Sequence, residues 1–296
     1  MIFTYNIYKM NRKQIAFTLI ELLVVIAIIG ILSGLIVVTM NGVTQKANIA
    51  KGQVFSNSLR NALMLNLIAE YKLDSNANDA WGAHTAGTIS GAASYSSCPQ
   101  NTCYSFDGAD DYIELPDSSD LRMSTGGTIS AWIYPKSLGE NNYGRIVDKS
   151  TDTSGTNGYI LSVGINNILY FYFVATGSSE LRSIDNVISL NQWQLATVTF
   201  GTSGRKLYVN GVDVTSGGGT SIVLPSNIAG VIAIGNRASN TDRSFDGYID
   251  EIRAYNAVIP TSQIKEQYYA GLNNLLLNGS ITKEEYSKRI SEVAKN

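Results

Sequence analysis

The 296-residue chain is poor in histidine, cysteine, proline and charge, and each shortage removes a class of function. One histidine and two cysteines leave little room for a zinc centre or a histidine-based nucleophile triad. The single His84 lies in a Gly/Ala/Thr-rich stretch with no partner visible in the sequence. Charged residues make up only 16% and the net charge is −2, so nothing points to nucleic acid as a partner. What the chain has instead is 27 glycines and 17 tyrosines among many β-branched residues, a texture of strands joined by tight turns.

The N-terminus is different. Residues 17–38 form a 22-residue apolar run with one charge, Glu21, long enough to cross a hydrocarbon core of about 30 Å. Lys9, Arg12 and Lys13 precede it without an acidic residue, which keeps the leader cytoplasmic. The run is too long for an ordinary secretory signal and no small-residue cleavage site follows it, so the helix is expected to be retained on export. An acid near the start of an apolar helix costs on the order of 2–3 kcal/mol unless it stays wet at the interface or pairs with a positive group from another chain. Beyond the span, Ala47, Ala50, Val54, Phe55, Leu59, Ala62 and Leu63 recur at helical spacing, and no proline interrupts residues 17–73. Gly30 and Gly34 add a G-x-x-x-G spacing that permits close helix contact.

The segment Ala16-Phe17-Thr18-Leu19-Ile20-Glu21, behind a basic leader and ahead of an apolar run, resembles the cleavage and methylation motif of type IV pilins and pseudopilins. The resemblance implies cleavage by a prepilin peptidase between Ala16 and Phe17, and N-methylation of Phe17. It also implies that Glu21 neutralises the terminal amine of a neighbouring pilin subunit in a homo- or hetero-filament. One departure is Ala16, where the motif usually carries glycine. An exported location favours a local disulfide between Cys98 and Cys103; the alternative is two free thiols in a cytosolic loop.

From about residue 67 short segments rich in Ile, Val, Tyr and Thr alternate with Gly, Asn, Asp and Ser. Strands are expected at 112–115, 128–134, 158–165, 168–176, 192–200, 206–209, 231–235 and 247–255, with sharp turns at Asn166-Asn167 and Asn210-Gly211. Six ordered stretches resemble the LamG-like, concanavalin A-like jelly-roll family: IAEYKLD (68–74), YSFDGADDYIELP (104–116), TISAWIYP (128–135), NQWQLATVTF (191–200), LYVNG (207–211) and GYIDEIRAYN (247–256). The fold class expected is therefore α+β: a long N-terminal helix, transmembrane then amphipathic, an antiparallel β-sandwich jelly roll and a short C-terminal helical tail. The expected boundaries are leader 1–16, helix 17–66 with its span at 17–38, jelly roll 67–260 and tail 261–296. In the tail, Thr261 or Ser262 can cap a helix carrying Ile264, Tyr268 and Leu272, and Thr282 can cap a second.

Simple alternation along 247–255 puts Tyr248, Asp250, Ile252 and Ala254 on one face, where an unpaired carboxylate is costly. Calcium would relieve that cost, since it takes carboxylate and carbonyl oxygens. The jelly-roll resemblance implies a structural calcium on Asp250, with Asp74 and the turn at Gly108 nearby. The competing reading has Asp250 accepting backbone amides at a strand end while Asp107, Asp110 and Asp111 form a turn. Tyr170 and Tyr172 share a face opposite Leu169, Phe171 and Phe173; they serve either as stacking platforms for a glycan or as ordinary cross-strand packing. Trp132 and Trp193 read as core. Some relatives of this fold hydrolyse glycans with Glu-x-Asp-x-x-Glu or Glu-x-Asp-x-Glu on one strand. Neither pattern occurs here, and Glu114 with Asp117 and Asp120 has the wrong spacing, so an anchored glycosidase is disfavoured.

The sequence thus points to a pilin-like filament subunit, held in the bacterial cytoplasmic membrane before assembly and then carried to the surface, with its head outside the cytoplasm. A head this bulky suits a minor, tip or adhesin-like subunit. The alternative is a secretion-system pseudopilin touching cargo or machinery.

Overall fold

The computed structural model describes residues 66–295, apart from 83, 151–157, 175–178, 219–228 and 239–240, together with helical residues 20, 22–24 and 26–28. The chain divides into two compact units, residues 1–57 and 58–296. In the first, the described side chains are apolar and outward-facing, from Ile20 to Ile28. Among the described residues, no helix is long and apolar enough to cross a membrane. Ala16, Phe17 and Glu21 lie outside the described residues.

The second unit is a sandwich of two antiparallel sheets. Its strands in chain order are β1 (Leu67–Tyr71), β2 (Thr88–Ser90), β3 (Ala93–Ser96), β4 (Thr102–Asp107) and β5 (Tyr112–Leu115). Then come β6 (Gly127–Pro135), β7 (Arg145–Asp148), β8 (Gly158–Gly164), β9 (Ile168–Val174), β10 (Ser179–Ser183) and β11 (Gln194–Gly201). The series ends with β12 (Gly204–Val209), β13 (Val212–Asp213), β14 (Thr215–Gly218), β15 (Ile232–Ile234) and β16 (Asp246–Tyr255). The first sheet runs β13-β12-β11-β6-β16-β4-β3, with β1 also paired to β16; the second runs β14-β10-β9-β8-β7-β15-β5-β2. Both expected hairpin turns form. Asn166 and Asn167 have φ of 66° and 54°, Asn210 and Gly211 of 54° and 79°, the left-handed pair that matches the twist of flanking strands.

Two apolar layers result. Phe106, Ile133, Phe171, Phe200 and Ile249 fill the space between the sheets. A second layer lies on the outer side of the first sheet, where Trp132, Trp193, Leu195 and Tyr255 meet Ile264, Tyr268, Leu272 and Leu275. Those last four belong to α1 (Thr261–Leu277), which is followed by α2 (Lys283–Ala294). The tail is thus packed onto the sandwich. Trp132 is buried, as expected, but under α1 rather than between the sheets; its indole stacks on Tyr268 with centroids 5.7 Å apart. Ser130 Oγ donates to Gln267 Oε1 at 2.9 Å, a polar tie within this layer.

The helix caps follow the sequence in part. Thr282 accepts from Glu285 N at 3.2 Å and starts α2. Neither Thr261 nor Ser262 caps α1, because the cap position is held by Pro260, with no side-chain cap bond.

Gly271 is required where α1 crosses the indole: a Cβ there would come within 2.2 Å of Trp132 Cζ2. Gly271→Val should lower stability by about 1–3 kcal/mol through overpacking, read as a shifted urea midpoint with unchanged slope. An unchanged midpoint would mean that α1 does not sit on Trp132.

Candidate functional site

The acid singled out in the sequence is buried on the side of Tyr248, but Ile252 and Ala254 are not on that face. Asp250 pairs with Trp132 and Arg253 with Ser130, so Glu251 and Ile252 together stand opposite the single Ala131. This bulge places Glu251 in the left-handed region at φ 49°, and it switches the faces of β16. Tyr248 packs with the outer layer, while Ile252 and Ala254 turn into the core between the sheets. The expected shared face of Tyr248, Asp250, Ile252 and Ala254 is therefore split. A two-residue period cannot survive an inserted residue.

Asp250 is fully buried at 0% exposure. Its Oδ2 accepts from Gln100 N at 3.3 Å, while Oδ1 has no hydrogen-bond partner. Burial, then the neighbouring Glu251 and more distantly Asp74, push its carboxyl well above the usual carboxylate range. Gln100 belongs to the ring closed by the Cys98–Cys103 disulfide, which forms as expected with both cysteines buried. The same loop engages Asp74, whose Oδ1 accepts from Thr102 N at 3.2 Å and Oδ2 from Asn101 Nδ2 at 3.1 Å. Asp74 and Asp250 thus flank one loop. Gly108 does not join them: it sits against Asp246 at the start of β16, four residues and about 13 Å along the strand from Asp250. The nearby acids make a turn, with Asp107 Oδ1 accepting from Ala109 N and Asp111 Oδ2 from Asp107 N, each at 2.8 Å.

Glu251 was not singled out in the sequence. Arg253 donates to its Oε2 and, at 2.9 Å, to Glu70 Oε1, while Glu251 Oε1 is buried without a hydrogen-bond partner. The Asp-Glu pair in GYIDEIRAYN was the available signal.

Tyr170 and Tyr172 do share the outer face of the second sheet, while Leu169, Phe171 and Phe173 point into the core. Tyr170 is nevertheless only 1% exposed. Its ring covers Gly164, where a Cβ would lie 2.0 Å from Cε2, and it is flanked by Tyr143 and the Arg182 guanidinium. Burial pushes its phenol up to about 12. It is therefore not an open stacking platform. Tyr172 is half-buried beside it. Below them Arg145 pairs with the buried Asp148 at 3.3 Å and donates to Ser162 Oγ at 3.4 Å.

His84 has partners that the sequence did not reveal. Asp79 Oδ2 lies 2.7 Å from Nδ1 and Asp120 Oδ1 lies 3.0 Å from Nε2. Bracketed by two carboxylates, the ring serves as a clamp between Asp79 and the short 3₁₀ turn Asp120–Arg122. Asp117, near Glu114 in sequence, is committed to Arg122 and to Lys149 Nζ at 2.8 Å. Asp120 is held by His84.

These features belong to a known fold. Residues 107–265 match the family model described as the concanavalin A-like lectin/glucanases superfamily, more than half of the chain. The chain belongs to that superfamily. Residues 11–37 match the prokaryotic N-terminal methylation motif, so the protein joins a pilin-type N-terminus to this fold. No curated protein matches the chain. Among solved structures, domain 4 of AbnA, a GH43 extracellular arabinanase from Geobacillus stearothermophilus determined with arabinotriose, is 23% identical with a TM-score of 0.54. The match covers 68% of this chain and 97% of that domain. The binding domain of Paraclostridial Mosquitocidal Protein 1 is 15% identical with a TM-score of 0.55, over 71% of this chain and 53% of that one. Trypanosoma rangeli sialidase gives 15% and 0.54, over 69% of this chain and only 33% of the sialidase. At these identities the likeness is one of fold.

The His84 clamp yields a pH test. Burial pulls the imidazole down, but the bonds to Asp120 and Asp79 outweigh it, and the net shift is upward. A histidine raised above its unfolded value of about 6.5 contributes stability that is complete below that pH and is lost as pH rises through the raised value. His84→Gln should lower the melting temperature clearly at pH 5.5 and progressively less toward pH 9. An equal loss at both ends would contradict the charged clamp.

Proposed function

We propose that the protein is a type IV pilin-like filament subunit whose jelly-roll head binds a glycan outside the cytoplasm. The observation that carries this reading is the union in one chain of the methylation motif at 11–37 and the concanavalin A-like lectin/glucanase fold at 107–265. Prepilin peptidase cuts between Ala16 and Phe17, Phe17 is methylated, and Glu21 takes the terminal amine of the neighbouring subunit. The apolar helical residues from Ile20 to Ile28 suit lipid before assembly and other pilin helices after it. The head is non-catalytic: its acids near Glu114 are held by Arg122, Lys149 and His84. Its size suits a minor, tip or adhesin-like position.

The assembly step has a direct test. Glu21→Ala should leave the protein in the membrane fraction while removing it from sheared surface filaments. Filaments that incorporate the variant at wild-type levels would overturn the role of Glu21.

The same reading includes a structural calcium. A buried Asp250 oxygen without a hydrogen-bond partner, beside Asp74 and Glu251, is the donor chemistry that calcium takes. Asp250 and Asp74 would hold the ion, and its charge would allow Asp250 to stay ionised. An acid with a raised folded pKa stabilises the fold below its unfolded value and loses that contribution as pH rises. Calcium should therefore raise the melting temperature at pH 7.5 and have little effect near pH 4. Asp250→Asn should abolish the calcium response and, in chelator at pH 7.5, be at least as stable as the parent. A calcium response that survives in Asp250→Asn would move the ion elsewhere.

A further inference from the structure

The outer face of the first sheet is not wholly covered by the C-terminal helices. Where they stop, a cleft of ≈ 440 Å³ opens between the sheet and the turn joining α1 to α2, within the range of about 300–1,000 Å³ usual for small-ligand sites. Four aromatic side chains converge on it from four segments: Tyr95 of β3, Tyr134 of β6, Trp193 just before β11 and Tyr248 of β16. Tyr95 lies flat on Tyr248, with centroids 4.1 Å apart and planes 11° apart. Tyr134 is 5.3 Å from Tyr248 and meets Trp193 edge-on at 5.6 Å.

Trp193 is buried core, but the other three rings are not: Tyr95 is 39% exposed, and Tyr134 and Tyr248 are each half-buried, so aromatic surface is left facing water. The polar groups at the rim are also set for a ligand. Lys136 Nζ stands 4.4 Å over the Tyr248 ring. Asn191 is exposed beside it, and Ser280 Oγ is buried without a hydrogen-bond partner. The far wall is fixed in place, because Asn278 Nδ2 donates to Cys98 O at 2.6 Å and Asn278 Oδ1 accepts from Ser280 N at 3.0 Å. The disulfide loop thus holds the helical turn against the sheet.

We propose that this cleft is a saccharide-binding site, taking one or two sugar units of a surface glycan. Flat rings that can receive the C–H face of a pyranose, ringed by an ammonium, an amide and a hydroxyl that can serve sugar hydroxyls, match a ligand apolar on its faces and polar around its edge. A peptide side chain would use the rings but not the encircling polar groups. Tyr95 and the 278–280 turn lie outside residues 107–265, so the site is built partly from segments beyond the matched domain. The proposal rests on the glycan-binding reading of the head and gives it a location, on the sheet opposite the one that carries Tyr170 and Tyr172.

The test is a glycan array probed with the labelled full-length chain in detergent micelles, as wild type, Tyr95→Ala, Lys136→Ala and Tyr172→Ala. Tyr95 and Lys136 are exposed, so these variants should fold, and an unchanged unfolding midpoint checks this. We expect wild-type binding to fall by about tenfold in Tyr95→Ala, the loss of one aromatic contact. Lys136→Ala should lose about half that factor, and Tyr172→Ala should bind as wild type. Binding that survives Tyr95→Ala and Lys136→Ala but fails in Tyr172→Ala would overturn the cleft while leaving the head a glycan binder. A wild-type chain that binds no glycan on the array would overturn both.

Discussion

The central strands of the first sheet are buried on both faces, and the rest of the head is arranged around that constraint. One face meets the second sheet; the other meets α1, α2 and the disulfide loop. Every residue of β11 is buried, as are eight of the nine in β6, including the polar Thr128, Ser130, Gln194, Thr197 and Thr199. A sheet in that position cannot tolerate unpaired polar groups cheaply. Those it does carry are tied down: Ser130 to Gln267, Glu70 to Arg253, and the Trp193 carbonyl to Arg289 Nη1 at 2.8 Å. Asp250, Glu251 and Thr197 are exceptions, each with a buried oxygen that has no hydrogen-bond partner. Asp250 lies in this layer just before the bulge at Glu251.

The same constraint accounts for the disulfide and the helical hairpin. By closing the 98–103 ring, the disulfide presents Gln100 N to Asp250, Thr102 N to Asp74 and the Cys98 carbonyl to Asn278. One small covalent loop thus links an acidic centre, the edge of an aromatic cleft and the turn between the last two helices. An oxidising compartment is the natural setting for such a link. That setting agrees with a head exported behind a pilin-type N-terminus.

Much of this was legible in the sequence. The two Asn-containing turns, the strand at 112–115 and the disulfide follow from local chemistry and stand where expected. The anomaly of Asp250 was visible because an acid among apolar strand residues conflicts with its surroundings. The bulge was not visible, since a period-two reading carries no mark for an extra residue. The burial of Tyr170 depends on Gly164 lying beneath its ring across a hairpin, and the clamp on His84 depends on Asp120, 36 residues away. Short polar-flanked strands such as Arg145–Asp148 and Ser179–Ser183 also escaped, because their outer faces carry charges that mask the alternation. The four cleft aromatics come from segments spread over more than 150 residues, and only the folded sheet brings them together.

The central claim is that the N-terminal segment is processed so that this head can be displayed on a filament. The mass of the mature protein, purified from a host with a working prepilin peptidase, tests it most directly. The account predicts a chain that starts at Phe17, carries one added methyl group, and is two hydrogens lighter for the Cys98–Cys103 bond. A mass that retains the first sixteen residues would contradict it.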